Sequence, residues 1–336
     1  MAALKEGKPR RRPGWLEAAA LSLATLVAFF LVRGCAFMPW NRSGPETEVR
    51  VTVTRDFGTV VLKDELVRLE RGGSAMDALR EAAEVETAYG GGFIQGVDGL
   101  RSRYDSALGG GEKVDWFFYV NGHLADVGAD SYEAREGDWL VFDYHRWDYS
   151  AFTPFLAGCL AQAFRRGYGG AVPAKVTVLH APGAAGQAEE VAGLLRANGS
   201  ACETLLLEDG WTSRDGEYAV LVGTWKEMAN NAYLREAQSN ASRLGLFAYV
   251  EGGAMRLVGP GGEVAKTLGE NAGVLEATGP RLGDGRSAFL VCGLDEMGLD
   301  AAVKALRMVL TEGCRPVTVL VAVAGGEPLA VPGEVK

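Results

Sequence analysis

The sequence predicts an α+β unit followed by an α/β unit, both behind an N-terminal transmembrane helix, and three observations carry that expectation. Val49, Val51 and Val53 alternate with Arg50, Thr52 and Thr54, and Trp116-Phe117-Phe118-Tyr119-Val120 is an aromatic run, both suited to half-buried strands. Between residues 176 and 323, short apolar runs alternate with helical stretches, the pattern of a layered α/β fold with a largely parallel sheet. Ahead of both, WLEAAALSLATLVAFFLVR (15–33) has about the length that crosses a bilayer as a helix. The implied order is a basic cytoplasmic segment (1–14), an anchor or signal (15–34), a linker (35–48), the α+β unit (49–148), a connecting helix (149–170), the α/β unit (173–324) and a tail (325–336).

Length and charge limit the functional classes. A chain of 336 residues has room for about two domains plus extras, and 48% hydrophobic residues suffice for packed cores. With 34 Lys and Arg against 43 Asp and Glu, the net charge of −9 argues against a nucleic-acid partner, which requires clustered cations for phosphate contacts. The basic residues that do cluster, Lys5, Lys8, Arg10, Arg11 and Arg12, precede the apolar run and place the N-terminus in the cytoplasm. The bulk is then expected outside, tethered to the cytoplasmic membrane by an uncleaved single-pass anchor. Val32-Arg33-Gly34-Cys35 is similar to a lipoprotein signal, although Arg33 departs from that pattern, so lipid attachment at Cys35 is the second expectation. Five scattered cysteines and three distant histidines (His123, His145, His180) form no metal-ligand spacing.

Within the α+β unit, Phe57-Gly58 turns the first strand back through Thr59–Leu62 and Val67–Leu69. Ser74 with Asp77 three residues on is a capping-box pattern that opens a helix, with Ala75, Leu79 and Ala82-Ala83 on one face. The stretch Val114–Asp143 then gives the aromatic strand, an Asn121-Gly122 turn, a Gly137-Asp138 turn and the apolar strand Trp139–Phe142. Strand, strand, helix, loop, strand, strand is a β-grasp order, with the helix across one face of a mixed sheet. The intervening loop, Thr87–Glu112, is long for so small a unit and combines two Gly triplets with Tyr89, Phe93, Ile94 and Tyr104. Long loops that retain rings tend to bind something. An aromatic sheet facing outward under a glycine-hinged flap is therefore expected to grip a flat ligand.

The order Trp116…Asn121-Gly122…Gly128…Tyr132…Gly137-Asp138, with the helix start Gly72–Leu79 and the loop Tyr89–Tyr104, resembles the C-terminal β-grasp domain of transcobalamin and intrinsic factor. It is still more similar to the bacterial domains catalogued as domain of unknown function 4430. The resemblance covers about residues 49–148. It implies a domain that packs on one side of a corrinoid, using the loop after the helix and the aromatic strand. Trp116 matches the family's aromatic-strand tryptophan, with Tyr104 and Phe118 as near neighbours, and Tyr89, Phe93 and Asn121 complete the expected ligand-binding set. Transcobalamin closes its site with an α/α barrel, which this chain lacks, so a single domain offers half a site that either binds weakly or needs a partner.

In the α/β half, His180-Ala181-Pro182-Gly183-Ala184-Ala185-Gly186 follows the first strand, but a lone G-x-x-G lacks a dinucleotide fingerprint or a phosphate-loop Lys. No G-x-S-x-G elbow and no H-E-x-x-H motif occurs, so no enzymatic activity, catalytic residue or cofactor is expected. Val220–Thr224 and Phe289–Gly293 faintly resemble cell-surface and S-layer α/β modules. Phe152, Phe155, Leu156, Leu160 and Phe164 share a helical face in the 149–170 bridge, which docks on a domain or lies on the membrane surface. Two functional readings follow. One is a membrane-tethered binding protein that captures cobalamin or another flat ligand and hands it to an importer; the other is a cell-envelope adhesion or structural module binding glycan or protein.

Overall fold

A computed structural model describes residues 46–105, 110–173, 175–213, 217–278 and 288–335. The expected anchor at 15–33, the basic segment and Cys35 lie outside these residues, and no helix among the described residues is long and apolar enough to cross a membrane.

The first sheet is built from β1 (Thr47–Arg55), β2 (Val60–Leu69), β6 (Val114–Val120), β7 (His123–Leu124) and β8 (Trp139–Arg146), in the spatial order β2-β1-β8-β6-β7. β1 and β8 run parallel at its centre, and the other pairs are antiparallel. Helix α1 (Ala75–Ala82) crosses one face. Its start is the capping box foreseen in the sequence: the Asp77 N–H donates to Ser74 Oγ at 3.1 Å and the Ser74 N–H to Asp77 Oδ2 at 2.9 Å. The Asn121-Gly122 turn also forms as expected, with φ of 52° and 91°.

The expected loop 87–112 is instead largely strand. β3 (Val85–Ala88), β4 (Phe93–Val97) and β5 (Leu100–Arg101) make a small antiparallel sheet, and Tyr104–Asp105 pairs with Gly110–Gly111. Of the glycines that suggested flexibility, Gly90 and Gly91 sit at a turn of this ribbon with positive φ, as does Gly99 at the next turn.

The second sheet has seven strands: β9 (Val176–His180), β10 (Cys202–Leu206), β11 (Tyr218–Thr224), β15 (Ala272–Thr278), β16 (Ala288–Gly293), β17 (Val319–Val323) and β18 (Leu329–Val331). Their order is β10-β9-β11-β16-β15-β17-β18. The sheet is mixed, a correction to the largely parallel expectation. Strands β10, β9, β11 and β16 are parallel, whereas β15, β17 and β18 pair antiparallel with their neighbours. Only residues 279–287 separate β15 from β16, fewer than the dozen or so that a parallel crossover needs.

Helix α3 (Ala185–Ala197) and helix α5 (Glu296–Thr311) cover this sheet. Three further expectations change. The bridge 149–170 is helical only over a 3₁₀ turn (Ala157–Cys159) and α2 (Leu160–Arg166), and the stretch 226–244 breaks at Asn231 and Asn240 into short helices, including α4 (Ala232–Ser239). The run at Leu246–Val250 belongs to a separate three-stranded meander, β12 (Ala248–Glu251), β13 (Ala254–Val258) and β14 (Val264–Leu268).

Residues from Pro45 onward form one compact unit in which the two sheets share packing. Phe57, from the β1–β2 turn, and Phe155, from the bridge, join the core of the second sheet. Gly58, at φ 78°, lies so close to Pro316 that a Cβ would come within 1.9 Å of its carbonyl oxygen. The Leu156 N–H donates to Gly122 O at 2.9 Å, and the Gly158 N–H to Val317 O at 3.0 Å. The bridge is thus hydrogen-bonded to both sheets.

Candidate functional site

Both faces of the aromatic strand β6 are covered. Trp116, Phe118 and Val120 alternate toward the α1 side, where Phe118 stacks on Phe142 with centroids 4.9 Å apart. Phe117 and Tyr119 point the other way, and Tyr119 is fully buried with Leu156 and Cys159 of the bridge. An outward-facing aromatic sheet is therefore corrected. The bridge residues occupy the face that the first sheet on its own would leave to solvent.

The outer edge of β6 is only partly bonded. β8 flanks one side along the whole strand, while on the other β7 pairs with Tyr119 and Val120, the Ala125 N–H donates to Phe118 O at 2.9 Å and the Arg103 N–H to Val114 O at 3.0 Å. Beside this sparsely bonded edge lies an open cavity of about 680 Å³, bounded by β4, the segment 102–104, the start of β6 and the segment 147–152. Its walls are mainly rings: Phe93, Tyr104, Trp116, Phe117, Trp147 and Phe152. Gln95, Ser102, Arg103 and Asp115 add polar groups, and Ala151 completes the lining.

These rings are held by specific contacts. Trp116 is 8% exposed, and its indole N–H donates to Leu100 O at 3.1 Å, which fixes the ring against the β4–β5 ribbon. Tyr104 and Trp147 meet edge to face, with centroids 5.0 Å apart and planes at 73°, so they form two adjoining walls. Phe117 stacks on His145 at 4.1 Å, and His145 stacks on Phe57 at 4.3 Å. His145 is itself fixed by Asp143, with Nδ1 and Oδ2 2.6 Å apart; Asp143 also accepts from the Thr54 hydroxyl and from the Phe57 and Gly58 N–H groups. A fully buried polar cluster therefore braces one wall of the cavity.

Asp115 is the notable polar group. Its Oδ1 accepts the Trp116 N–H at 2.8 Å. Burial pushes its carboxyl above the ordinary aspartate range, and that hydrogen bond partly offsets the rise. Arg103 pairs with Glu112 at 2.7 Å on the rim.

Of the six residues expected from the sequence, the fold brings Trp116, Tyr104 and Phe93 together at the cavity. Tyr89 lies in a single 3₁₀ turn at Tyr89–Gly91, and its side chain is outside the description. Phe118 and Asn121 are corrected to interior positions. Asn121 is completely buried and its amide is spent inside the fold: Nδ2 donates to Asp138 Oδ1 at 2.9 Å and to Gly167 O at 2.8 Å, while Oδ1 accepts the Trp139 N–H at 2.8 Å. Sequence reasoning missed Phe117, Trp147 and Asp115. Period two along β6 would have found Phe117 and Asp115 together on the face opposite Trp116. Among the described residues, no group of His, Cys, Asp and Glu is arranged to hold a metal ion.

Residues 72–146, from just before α1 to the end of β8, match the family model described as Domain of unknown function (DUF4430), so the resemblance read from the sequence is borne out over that span. No curated protein matches the chain. Solved structures similar to it include haptocorrin in complex with Cbi, at 15% identity over 30% of this chain, with a TM-score of 0.23. This chain covers only 25% of that haptocorrin chain. A second, from Ruminococcus gnavus ATCC 29149 and provisionally named a metal binding protein, is 16% identical over 30% of this chain and 97% of its own, with a TM-score of 0.22.

Proposed function

We propose that this chain is a membrane-tethered, extracytoplasmic binding protein whose cavity at the edge of β6 takes a flat, partly apolar ligand of the corrinoid class. The observation that carries this reading is the open cavity of about 680 Å³ with ring walls, Trp116, Phe117, Tyr104 and Trp147, and few polar groups. Sites for small molecules have that size and that balance of apolar wall to polar anchor. Two walls inclined at 73° hold a planar edge in one orientation, and the open side leaves part of a large ring uncovered. A second protein, such as an importer component, would close that side, in keeping with the half-site that the family resemblance implies.

The tether rests on the apolar run 15–33 and the basic residues before it. External protease applied to intact cells should remove the bulk of the chain, and full protection would rule the topology out. The work assigned here is binding without catalysis and without a resident cofactor.

A second reading, an envelope module that binds glycan, is favoured by one observation: Gln95, Ser102, Arg103 and Asp115 stand beside stacking rings, a combination that also suits a sugar face. Absorbance titration of the full chain with cobalamin and with cobinamide separates the two. A saturating spectral shift that weakens in Trp147→Ala supports the corrinoid reading. No shift at high-micromolar corrinoid, with retention on cell-wall polysaccharide, supports the glycan reading.

A further inference from the structure

We infer that the ligand of this cavity presents a positively charged group, held against the ring faces and beside the carboxylate of Asp115. The inference rests on the reading of the cavity as the ligand site and adds the charge of the ligand to it. Aromatic rings carry negative potential on their faces, and a cation enclosed by several of them is stabilised more than one at a single exposed ring. Here Tyr104 and Trp147 form adjoining walls, and Trp116 and Phe117 line the same space.

The rim already displays the effect once, because the Lys113 ammonium lies 5.2 Å from the centroid of the Trp147 ring. The carboxylate supplies the second half of the argument. Asp115 lines the cavity, and among the described residues no Lys or Arg forms an ion pair with it. The cation lining the same cavity, Arg103, is paired with Glu112, and His145, opposite Asp115 across the sheet, is paired with Asp143. Asp115 is thus a partly desolvated carboxylate among rings, hydrogen-bonded by the Trp116 N–H and the Ser102 hydroxyl and beside His145, but with no Lys or Arg among the described residues paired to it, and burying such a group costs free energy unless it is fully paired. An organic cation meets both demands at once: its charge faces the carboxylate and its alkyl or aromatic surface faces the rings.

The test uses the full chain in a non-ionic detergent and two matched probes, choline and 3,3-dimethylbutan-1-ol, which share a shape and differ in charge. Ligand-observed NMR and quenching of tryptophan fluorescence give the two affinities. Choline is expected to bind roughly tenfold more tightly than its neutral counterpart, and Asp115→Asn should narrow that difference to the part that the ring faces supply. Equal binding of the two probes, or a preference for choline that is undiminished in Asp115→Asn, overturns the inference. If Asp115→Asn does not fold, the wild-type comparison alone decides.

Diaquacobinamide and dicyanocobinamide, which differ by two charges on one ring system, separate this inference from the corrinoid reading. Equal binding of both forms keeps the corrinoid reading and overturns the charge preference. Failure of both, with choline still preferred, overturns the corrinoid reading and keeps the charge preference.

Discussion

His123 Nε2 and the Tyr218 hydroxyl lie 2.6 Å apart, both buried, and join the first sheet to the second. Phe155 stands edge-on to the imidazole at 4.9 Å, so the pair sits in an aromatic enclosure with no countercharge. Burial therefore pushes His123 down to about 3, and it is neutral across the physiological range.

That neutrality makes stability depend on pH. The unfolded histidine takes a proton near its ordinary value of 6.5 and the folded one only near 3, so the stabilisation is complete above about pH 6.5 and is lost as pH falls toward 3. The span corresponds to roughly 3–5 kcal/mol. Thermal melts from pH 7 to pH 3 should show a steep acid limb, and a flat profile would contradict the neutral buried histidine.

Glu276 acts in the opposite sense. It is completely buried on β15, where Oε1 accepts the Phe247 and Ala248 N–H groups at 2.7 and 3.2 Å while Oε2 has no partner. Burial pushes it up to about 8 against an ordinary value of 4.5, so its contribution is complete below about pH 4.5 and is lost as pH rises through 8. Together the two groups give maximal stability at about pH 4.5–6.5. Glu276→Gln, which stays neutral, should raise the melting temperature relative to wild type above pH 8.

Ring substitutions should separate binding from folding. Phe118→Ala removes a ring stacked on Phe142 inside the core and should cost about 3–5 kcal/mol in denaturant titrations. Trp147→Ala removes a half-buried cavity wall and should cost well under that while weakening ligand binding more than tenfold. Equal stability losses at the two positions would place Trp147 in the core instead.

Asn121→Ala should destabilise by roughly 2–4 kcal/mol. It leaves Asp138, Gly167 O and the Trp139 N–H each short of a buried partner, at a residue whose φ is 52°. Asn121→Gly relieves the backbone but not the lost hydrogen bonds, so its cost should fall only slightly below that of the alanine variant.

Gly58→Ala places a methyl group within 1.9 Å of Pro316 O at a position of positive φ. The clash lies where the first sheet meets the second, and a loss of about 3 kcal/mol or more is expected. Limited proteolysis should then cut between residues 146 and 160 faster than in wild type.

What the sequence carried on its own was local. The strand at Val49–Val53, the Ser74–Asp77 capping box and the Asn121-Gly122 turn each depend on residues within a few positions of one another, and each formed, although Thr52 and Thr54 on the strand's expected solvent face are buried too. Trp116, Tyr104 and Phe93 could be expected near one another because their rings cluster in a short stretch, and they do line one cavity. Phe118 and Asn121 were not distinguishable from them, because burial is set by what packs above a residue. Here α1 covers Phe118, and Asp138 and Gly167 enclose Asn121.

The mixed second sheet had the same cause. Strands β15 and β16 read as ordinary apolar runs, and only their pairing fixed their direction. The bridge 149–170 decided most. By burying the Tyr119 face of β6, it moved the candidate site from the sheet face to the strand edge, because a face that is covered on both sides can admit a ligand only from its rim.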